Sequence, residues 1–415
     1  MLTRASAATA IAAVGLVCAT APATASAAPG GPFAMHSMLQ LNSPRPFKEA
    51  MFAAAAAAGA SEIRVDASLG ALNNPWIESD MWQGLQDYMQ LSQQYGLPVL
   101  LDFNSSNDVS LETCPAGADP ANGDCAVTNL AGYYNEIAAV VAYTRGVIDD
   151  FEIVNEPDGT WTFAGTPQQY AGMLRTAYDA VHATDPAGRV VLGGIMNPSD
   201  TTWLTEVFAT PGEDAAHAFD VANVHLRDTL ANLPGEMLAW RRYFAFFGDV
   251  NLPLWVTETG YPADPAYQYD PNFKGTDPTS GAAEQAAYLA RELPLLVDDG
   301  AARVFVTERD NLGGQFASEG LLTGGVSDAN EDDPNPVPRL SYRVFALLCV
   351  EFANAVIPAP PPLLAPAPAP APTAHVTAAP AHSLGTAARA KRTSPLAAHA
   401  RRRPTHARRR PTHAR

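Results

Sequence analysis

Two glutamates stand near the ends of apolar segments that lie far apart in the sequence. Glu156 follows the run FEIVN and precedes Pro157, and Glu258 lies in the later run LWVTETG. A carboxylate at the end of a buried strand is costly to desolvate unless it is hydrogen-bonded or used. Two opposed carboxylates are what glycoside hydrolysis requires: one gives a proton to the leaving oxygen, and the other attacks the anomeric carbon or activates water.

Short apolar runs alternate with longer amphipathic segments, which is the pattern of a repeated strand–helix unit. Eight runs are predicted as strands: Phe33–Leu41, Glu62–Leu69, Leu97–Phe103, Ile148–Asn155, Arg189–Ile195, Phe219–Leu226, Leu252–Thr257 and Ala302–Thr307. A helix-period segment follows each run, and the last is VPRLSYRVFALLCVEFANAV. The pattern predicts an α/β fold, a (β/α)8 TIM barrel with a single catalytic domain. A doubly wound open sheet is the alternative, but that fold usually stops at about six strands.

In such a barrel, polar residues at the carboxyl ends of the strands form the active site. Predicted strands four and seven face each other across the ring, so Glu156 and Glu258 are expected to approach one site from opposite sides. Because side chains alternate along a strand, Asn155 and Glu156 reach that site together only if the strand bulges or turns there. Glu152 lies deeper on the same strand and is predicted to be a buried partner.

These residues resemble the clan A retaining glycoside hydrolases. IVNEP and LWVTETG match the Asn-Glu-Pro acid/base motif and the strand-seven nucleophile of that clan, IRVD is similar to its strand-two arginine motif, and DVANVHLR to its strand-six histidine motif. The resemblance covers the whole barrel and is nearest to the cellulase-like and xylosidase-like families five and thirty-nine. It implies retention of anomeric configuration, with carboxyl groups about 5 to 5.5 Å apart.

The resemblance also implies a role for each matching residue. Glu156 is expected to be the acid/base catalyst and Glu258 the nucleophile. Asn155 would contact the sugar 2-hydroxyl, Arg64 would keep the nucleophile ionised, and His225 would line the site. Arg64 and His225 each have a structural alternative, as a buried ion-pair partner and as a satisfied core histidine.

The sequence departs from many relatives at two places. Many relatives have a tyrosine two residues after the strand-six histidine, and Arg227 stands at that position here. Tyr261 is a candidate to take the place of the missing tyrosine. The tryptophan that often ends strand eight is absent from VTERDNLGG, where Arg309 and Asp310 are candidates to bind a charged or unusual sugar. Trp161, after strand four, is a candidate to stack on a sugar ring or, alternatively, to cap the core. For Arg227, Arg309 and Asp310 the alternative is a salt-bridged layer at the barrel mouth.

The two ends of the chain differ in composition from the segment between them. Residues 1–27 carry one basic residue, a short apolar stretch and an Ala-Ser-Ala sequence, so they are predicted to be a signal peptide. Residues 30–356 are predicted to form the barrel, and residues 357–415, rich in Pro, Ala and Arg, a disordered tail. Cys114 and Cys125 flank a polar loop and are predicted to pair in an oxidising compartment. The sequence thus predicts a secreted, extracellular protein without a membrane span.

The formal net charge of −17 is unevenly distributed. Residues 352–415 hold ten Lys or Arg and no acidic residue, which leaves −27 on residues 1–351. So acidic a domain would repel nucleic acid, whereas the basic tail is a candidate to bind an anionic cell-wall polymer. The predicted partner is a carbohydrate substrate of a monomeric enzyme. No cofactor is implied because two carboxylates complete the chemistry, and no group of residues at ligand spacing predicts a metal.

The sequence therefore predicts a retaining glycoside hydrolase acting on β-linked O-glycosidic bonds of a polysaccharide or oligosaccharide. One alternative is a barrel that binds carbohydrate at the cell surface without turnover, which the altered strand-six and strand-eight positions favour and the retained glutamates oppose. A second alternative is a phosphate-dependent barrel enzyme, since Gly-Gly pairs such as that in VLGGI can surround a phosphate.

Overall fold

The computed structural model describes residues 31–68, 78–104, 112–113, 125–160, 162–196, 201–247, 252–310, 314–323 and 336–353. One sheet of parallel strands contains β1 Phe33–His36, β2 Ile63–Ser68, β3 Val99–Asn104, β4 Asp150–Ile153, β5 Arg189–Leu192, β6 Ala222–His225, β7 Leu254–Thr259 and β8 Ala301–Thr307. Its hydrogen-bonded order is β5-β4-β3-β2-β1-β8-β7-β6. Backbone bridges from Val191 to Val221 and from Ile195 to Val224 join β5 to β6. The sheet is thus a nearly closed (β/α)8 barrel, which confirms the predicted fold class.

An α-helix follows each strand in the described part of the chain. The helices are α1 Arg45–Ala58, α2 Glu78–Tyr95, α3 Leu130–Thr144, α4 Pro167–Thr184, α5 Thr202–Phe208, α6 Leu233–Phe246, α7 Pro278–Asp298 and α8 Leu340–Phe352. Local signals fix their ends: Thr166 and Gln169 form a reciprocal capping box before α4, and Gly59 closes α1 in the left-handed conformation. Among the described helices, none is long and apolar enough to cross a bilayer.

The interior of the barrel has an apolar layer below a polar layer. The apolar layer consists of Ala34, Leu100, Val191, Val221, Trp255 and Phe305. Because side chains alternate along a strand, the next inward-facing residues on β1, β3, β7 and β8 are His36, Asp102, Thr257 and Thr307. All four are polar and buried. The strands therefore carry a polar cluster at their carboxyl ends, above the apolar layer.

The backbone leaves strand geometry directly after β4, which ends at Ile153 instead of the predicted Asn155. Val154 has φ 66° and Glu156 has φ 45°, which are left-handed values that a β-branched residue rarely adopts. With left-handed residues on both sides of Asn155, the side chains no longer alternate between two faces. This is the turn that the sequence required, and it brings Asn155 and Glu156 to one site.

The two glycines of VLGGI, directly after β5, give space to neighbouring strands. A Cβ on Gly193 would lie 2.2 Å from the carbonyl oxygen of Val154, and a Cβ on Gly194 would lie 1.9 Å from His225 Nε2. The N–H of Gly194 donates to Glu152 Oε1 at 3.1 Å. Packing therefore accounts for these glycines without a phosphate.

Several predictions concern residues outside the described part of the chain. These are the signal peptide at 1–27, the tail at 357–415 and Trp161. Cys125 is disulfide-bonded, whereas its predicted partner, Cys114, lies outside the described residues. Cys349 is a free, buried thiol in α8.

Glu308, which follows β8, is a fully buried carboxyl. Burial raises the pKa of Glu308 from 4.5 to about 8, against smaller lowering effects of Ser37 and Arg309. A carboxyl whose folded pKa is raised contributes stability fully below the unfolded pKa and loses this contribution as the pH rises through the folded value. The loss for Glu308 therefore falls between pH 4.5 and about pH 8.

We expect Glu308→Gln to stabilise the protein relative to wild type at pH 8.5 and to be nearly neutral at pH 4.5. With about 1.4 kcal/mol per pKa unit, the difference between the two pH values should be about 2 to 4 kcal/mol. Denaturant unfolding at both pH values measures it, with Glu351→Gln on the exposed face of α8 as a control. An unchanged pH slope in Glu308→Gln would show that Glu308 ionises as easily in the folded as in the unfolded chain.

Candidate active site

Glu258 lies on β7 with its carboxylate among basic side chains from three other strands. Its Oε1 accepts from Arg64 Nη1 at 3.0 Å and lies 3.5 Å from His36 Nδ1. Its Oε2 lies 3.2 Å from Arg227 Nη2 and 3.7 Å from His225 Nδ1. Burial alone would raise the pKa of Glu258, but the surrounding histidines and arginines, His225 first among them, hold it well below the usual range. The carboxylate is therefore ionised, as a nucleophile must be.

Arg64, on β2, is the buried centre of the cluster. Its Nε and Nη2 donate to Glu152 Oε2 and Oε1 at 2.7 and 3.1 Å. Nη2 also donates to Asp102 Oδ2 at 3.0 Å and to Asn155 Oδ1 at 2.8 Å. One guanidinium thus faces three carboxyl groups, those of Asp102, Glu152 and Glu258. Burial raises the pKa of Asp102 well above its usual value, which reduces the negative charge around Arg64.

His36, at the end of β1, lies between Arg64 and Glu258. Arg64 Nη1 donates to His36 Nε2 at 2.8 Å, so this nitrogen accepts and the ring hydrogen is assigned to Nδ1. Nδ1 is the atom that faces Glu258 Oε1. Burial lowers the pKa of His36 well below 6.5. Near neutral pH the ring is therefore uncharged, and it turns its N–H toward the carboxylate.

Glu156 is joined to His225 by a chain of hydrogen bonds that ends on the backbone. His225 Nδ1 lies 2.8 Å from Glu156 Oε1, and Nε2 lies 3.1 Å from the Thr257 hydroxyl. That hydroxyl donates to Asn223 Oδ1 at 2.9 Å, and Asn223 Nδ2 donates to the carbonyl oxygen of Leu192 at 3.0 Å. Because the Thr257 hydrogen is used on Asn223, the Thr257 oxygen accepts from Nε2–H of His225. Nδ1 is therefore the ring nitrogen that faces Glu156.

Arg227, two residues after His225, contacts Glu258 from the side opposite Arg64. Its Nε and Nη2 donate to Glu319 Oε1 and Oε2 at 2.8 and 3.1 Å, and Nη2 also reaches Glu258 Oε2 at 3.2 Å. Glu319 lies in the segment after β8 and accepts from the Thr307 hydroxyl at 3.1 Å. One guanidinium thus bridges the candidate nucleophile and a second carboxylate.

The two candidate catalytic carboxylates lie close together. One oxygen of Glu156, one oxygen of Glu258 and a ring nitrogen of His225 are all within 4.8 Å of one another. Such a spacing would also suit a metal ion. However, Arg64 and Arg227 are permanently charged, both contact Glu258, and both would repel a cation, so we assign no metal-ligand role to this group.

Tyr261, predicted to bind substrate, is not part of this site. Its side chain is fully buried, and its hydroxyl donates to the carbonyl oxygens of Asp270 and Phe273 at 3.2 and 3.1 Å. Its ring stacks on Tyr288 with centroids 4.0 Å apart. Tyr261 therefore packs the segment after β7 against α7, and the proposed substitution for the missing tyrosine is wrong.

Arg309, the other predicted binding residue after β8, points into the protein. It is 8 % exposed, its guanidinium lies 4.8 Å from the ring centroid of Phe47, and it donates to the carbonyl oxygens of Ser37 and Met38. These contacts fasten the segment after β1, so the structure gives Arg309 a structural role instead of a sugar-binding one.

The neighbouring Asp310 has a structural partner as well. Its two carboxylate oxygens accept from Arg339 at 2.5 and 2.7 Å, and Oδ1 also accepts from the N–H of Gly320. Asp310 is therefore part of a salt bridge, although its partner is Arg339 and not Arg227 or Arg309 as in the predicted layer.

The sequence analysis assigned no role to several residues of the site, among them His36, Asn223, Thr257 and Glu319. His36 ends the apolar strand FAMH and carries the same signal that singled out the other strand ends. Asn223 and Thr257 share the inward alternation of His225 and Trp255 on their strands. Glu319 has no local signal, since it lies outside the barrel strands and reaches Arg227 only through the return of the chain after β8.

A barrel that carries an Asn-Glu pair after β4 and a second glutamate on β7 places the protein among the clan A glycoside hydrolases. Residues 27–266 match the family model "Cellulase (glycosyl hydrolase family 5)". The chain belongs to glycosyl hydrolase family 5. The search of curated protein sequences finds no match.

Solved structures of three related kinds share the fold. A family 39 glycoside hydrolase from Bacteroides cellulosilyticus WH2 is 17% identical with a TM-score of 0.56, over 78% of this chain and 65% of that one. A GH5_18 protein from Streptomyces cattleya, solved in complex with GlcNAc, is 18% identical with a TM-score of 0.54, over 80% and 83%. Fungal β-1,4-galactanases are 17% identical with a TM-score of 0.51, over 72% and 90%. At these identities the comparison shows the fold alone.

Proposed function

We propose that the protein is a secreted retaining glycoside hydrolase that cleaves β-linked O-glycosidic bonds of a polysaccharide or oligosaccharide. The observation that carries this proposal is the approach of Glu156 and Glu258, whose nearest oxygens lie within 4.8 Å. Retaining enzymes hold their carboxyl groups roughly 5 to 5.5 Å apart, whereas inverting enzymes need roughly 6.5 to 9.5 Å to admit a water between. So short a separation supports direct attack by Glu258.

The contacts assign a task to each side chain in the two steps. Glu258 attacks the anomeric carbon while Glu156 gives its proton to the leaving oxygen, and a glycosyl ester of Glu258 forms. Glu156 then takes a proton from water, which displaces Glu258 and restores the starting configuration. His225 Nδ1 holds the carboxyl group of Glu156 in place, and Asn155, fixed by Arg64, stands beside the acid as the contact to the 2-hydroxyl.

Secretion belongs to the same proposal. The leader-like residues 1–27 and the disulfide at Cys125 support export into an oxidising compartment. The Arg-rich end of the chain is proposed to bind anionic cell-wall polymer through charge. Salt-dependent retention on isolated cell walls, compared between the full chain and one ending at residue 356, tests this part.

Release of reducing sugar tests the activity and identifies the substrate. The panel contains β-linked glucans, xylans, mannans and galactans, together with Manβ1-4GlcNAc, which a structurally similar GH5_18 protein was solved with. Wild type is compared with Glu258→Ala. Activity that disappears in the variant supports the proposal, whereas binding of a glycan with no release by wild type favours a carbohydrate-binding barrel without turnover.

We expect the loss of activity in Glu156→Ala to be larger for substrates whose leaving group must be protonated as it departs. Alkyl glycosides and polysaccharides should be cleaved about 10² to 10⁴ times more slowly, because proton donation contributes about that much. The first step with a dinitrophenyl glycoside should change far less, since that leaving group departs without a proton. Initial rates over a series of aryl leaving groups measure this, and equal losses across the series would exclude Glu156 as the acid.

A further inference from the structure

Arg227 is divided between two carboxylates, and most of its hydrogen bonds go to the one that is not a candidate catalyst. Two hydrogen bonds go from its guanidinium to Glu319 and one goes to Glu258. The Glu319 side chain is 2% exposed and that of Arg227 is 17% exposed. A carboxylate buried so deeply is costly unless it is paired. The described residues contain no other cation at salt-bridge distance from Glu319, so the pair forms one unit.

The chain just after the candidate nucleophile is shaped to accept Glu319. A Cβ on Gly260 would lie 2.4 Å from Glu319 Cγ and 2.6 Å from its Cδ. Thr307 donates to Glu319 Oε2, and the same hydroxyl lies 3.3 Å from the carbonyl oxygen of Thr259. Glu319 is thus seated between the ends of β7 and β8, directly beside the backbone that carries Glu258.

We propose that Arg227 and Glu319 form a positioning pair for Glu258. Glu319 fixes the guanidinium, whose Nη2 then holds Oε2 of Glu258 and keeps that carboxylate ionised, while Arg64 does the same at Oε1. The role of the pair in catalysis rests on the proposed function, in which Glu258 is the nucleophile. The ionisation of Glu258 can be measured without any substrate.

The effect of Arg227 has to be separated from the other charges that face Glu258. Titratable and charged groups contribute from β1, β2, β3, β4, β6 and the segment after β8: His36, Arg64, Asp66, Asp102, Glu152, Glu156, His225, Arg227 and Glu319. Of these, the permanent cations in direct contact with Glu258 are Arg64 and Arg227. Removing Arg227 alone therefore takes away one of two fixed positive charges and leaves the negative charge of Glu319 unbalanced nearby.

The test is a titration of Glu258 by NMR in protein labelled with ¹³C at the glutamate carboxyl, assigned through the signal lost in Glu258→Gln. In Arg227→Gln the pKa of Glu258 should rise by at least about one unit, the effect expected for loss of an adjacent opposite charge. In Glu319→Gln the pKa of Glu258 should stay at or below the wild-type value, because the positive charge of Arg227 remains and the negative charge of Glu319 is lost. The Arg227→Gln/Glu319→Gln double variant should fall between Arg227→Gln and wild type.

The double variant also keeps the test valid if Arg227→Gln alone fails to fold, because it leaves no unpaired buried charge. Asp310→Asn is the matched control: it breaks another partly buried arginine–carboxylate pair beside Gly320 without touching Glu258. The pair is supported if the double variant raises the pKa of Glu258 and Asp310→Asn leaves it unchanged. It is overturned if Arg227→Gln, or the double variant in its place, stays within 0.3 units of wild type, or if Asp310→Asn shifts the pKa as much.

Kinetics then separate positioning from folding. On the best substrate, the acid limb of the kcat/KM profile should move with the pKa of Glu258 in each variant, and Glu319→Gln should lower kcat with little change in KM. In Arg227→Gln or the double variant, altered activity with an unmoved acid limb overturns the positioning role. If the wild type cleaves no glycoside, the proposed function fails, yet the titration still decides whether Arg227 controls Glu258.

Discussion

Glu258→Ala is expected to lose turnover almost completely while keeping its fold. Removal of a nucleophile from a cooperating set costs about 10⁴-fold or more in kcat, because the covalent path is closed. Azide enters the space that the carboxylate leaves and should restore part of the rate on an activated aryl glycoside. Steady-state rates with and without azide measure both effects, and circular dichroism confirms the fold.

The configuration of the azide product distinguishes the two glutamates. In Glu258→Ala azide attacks in place of the nucleophile, so a β-glycoside should give the α-glycosyl azide. In Glu156→Ala azide attacks the glycosyl ester of Glu258 instead and should give the β-glycosyl azide. Proton NMR of the products reads the result, and a β-product from Glu258→Ala would assign the nucleophile to another residue.

Arg64→Met should be the most destabilising single change in the barrel interior. It leaves the buried carboxyl groups of Asp102, Glu152 and Glu258 without the cation that they share. Loss of one partner from a buried ion pair costs about 3 to 5 kcal/mol, and activity should fall with it because Glu258 loses a fixed positive charge. Denaturant unfolding and kcat/KM measure the two losses.

Two further variants test whether geometry or charge is responsible. Arg64→Lys keeps the charge, but a lysine is a point donor that cannot bind Glu152 as a fork and reach Glu258 together, so its losses should be intermediate. Arg189→Met is the matched control, since Arg189 binds Asp150 with two bonds of 2.6 and 2.7 Å yet its side chain is 43% exposed. It should cost about 1 kcal/mol or less. Equal losses in Arg64→Met and Arg189→Met would contradict the central role of Arg64.

The strand and helix order was predictable because each element carries its own periodicity. The ends of the strands were less so: β4 was predicted to run to Asn155 but stops at Ile153. The reason is the left-handed backbone at Val154. Valine is β-branched and rarely adopts this conformation, so the sequence argued against it. The need for a turn followed from chemistry, since Asn155 and Glu156 had to share a site, and local propensity gave no sign of it.

The site residues that lie on strands were predictable from the sequence, whereas those that loops bring back to the site were not. Alternation on the strands is enough to bring Arg64 and His225 together, whereas Glu258 joins them only because the register between β6 and β7 shifts between Val224 and His225. Arg309 and Tyr261 carry equally suitable functional groups, but tertiary packing directs both side chains away from the site. Glu319 could not be predicted as a site residue, because only the path of the chain after β8 brings its side chain to Arg227.

The two glycines after β5 restrict how this enzyme can change. Where other strands present side chains, Gly193 and Gly194 present bare backbone, and even one added carbon would collide with Val154 or with the ring of His225. Mutation at these positions therefore damages the catalytic machinery before it can alter preference for a sugar. Adaptation to a new glycan is therefore expected to come through the loops of the other strands.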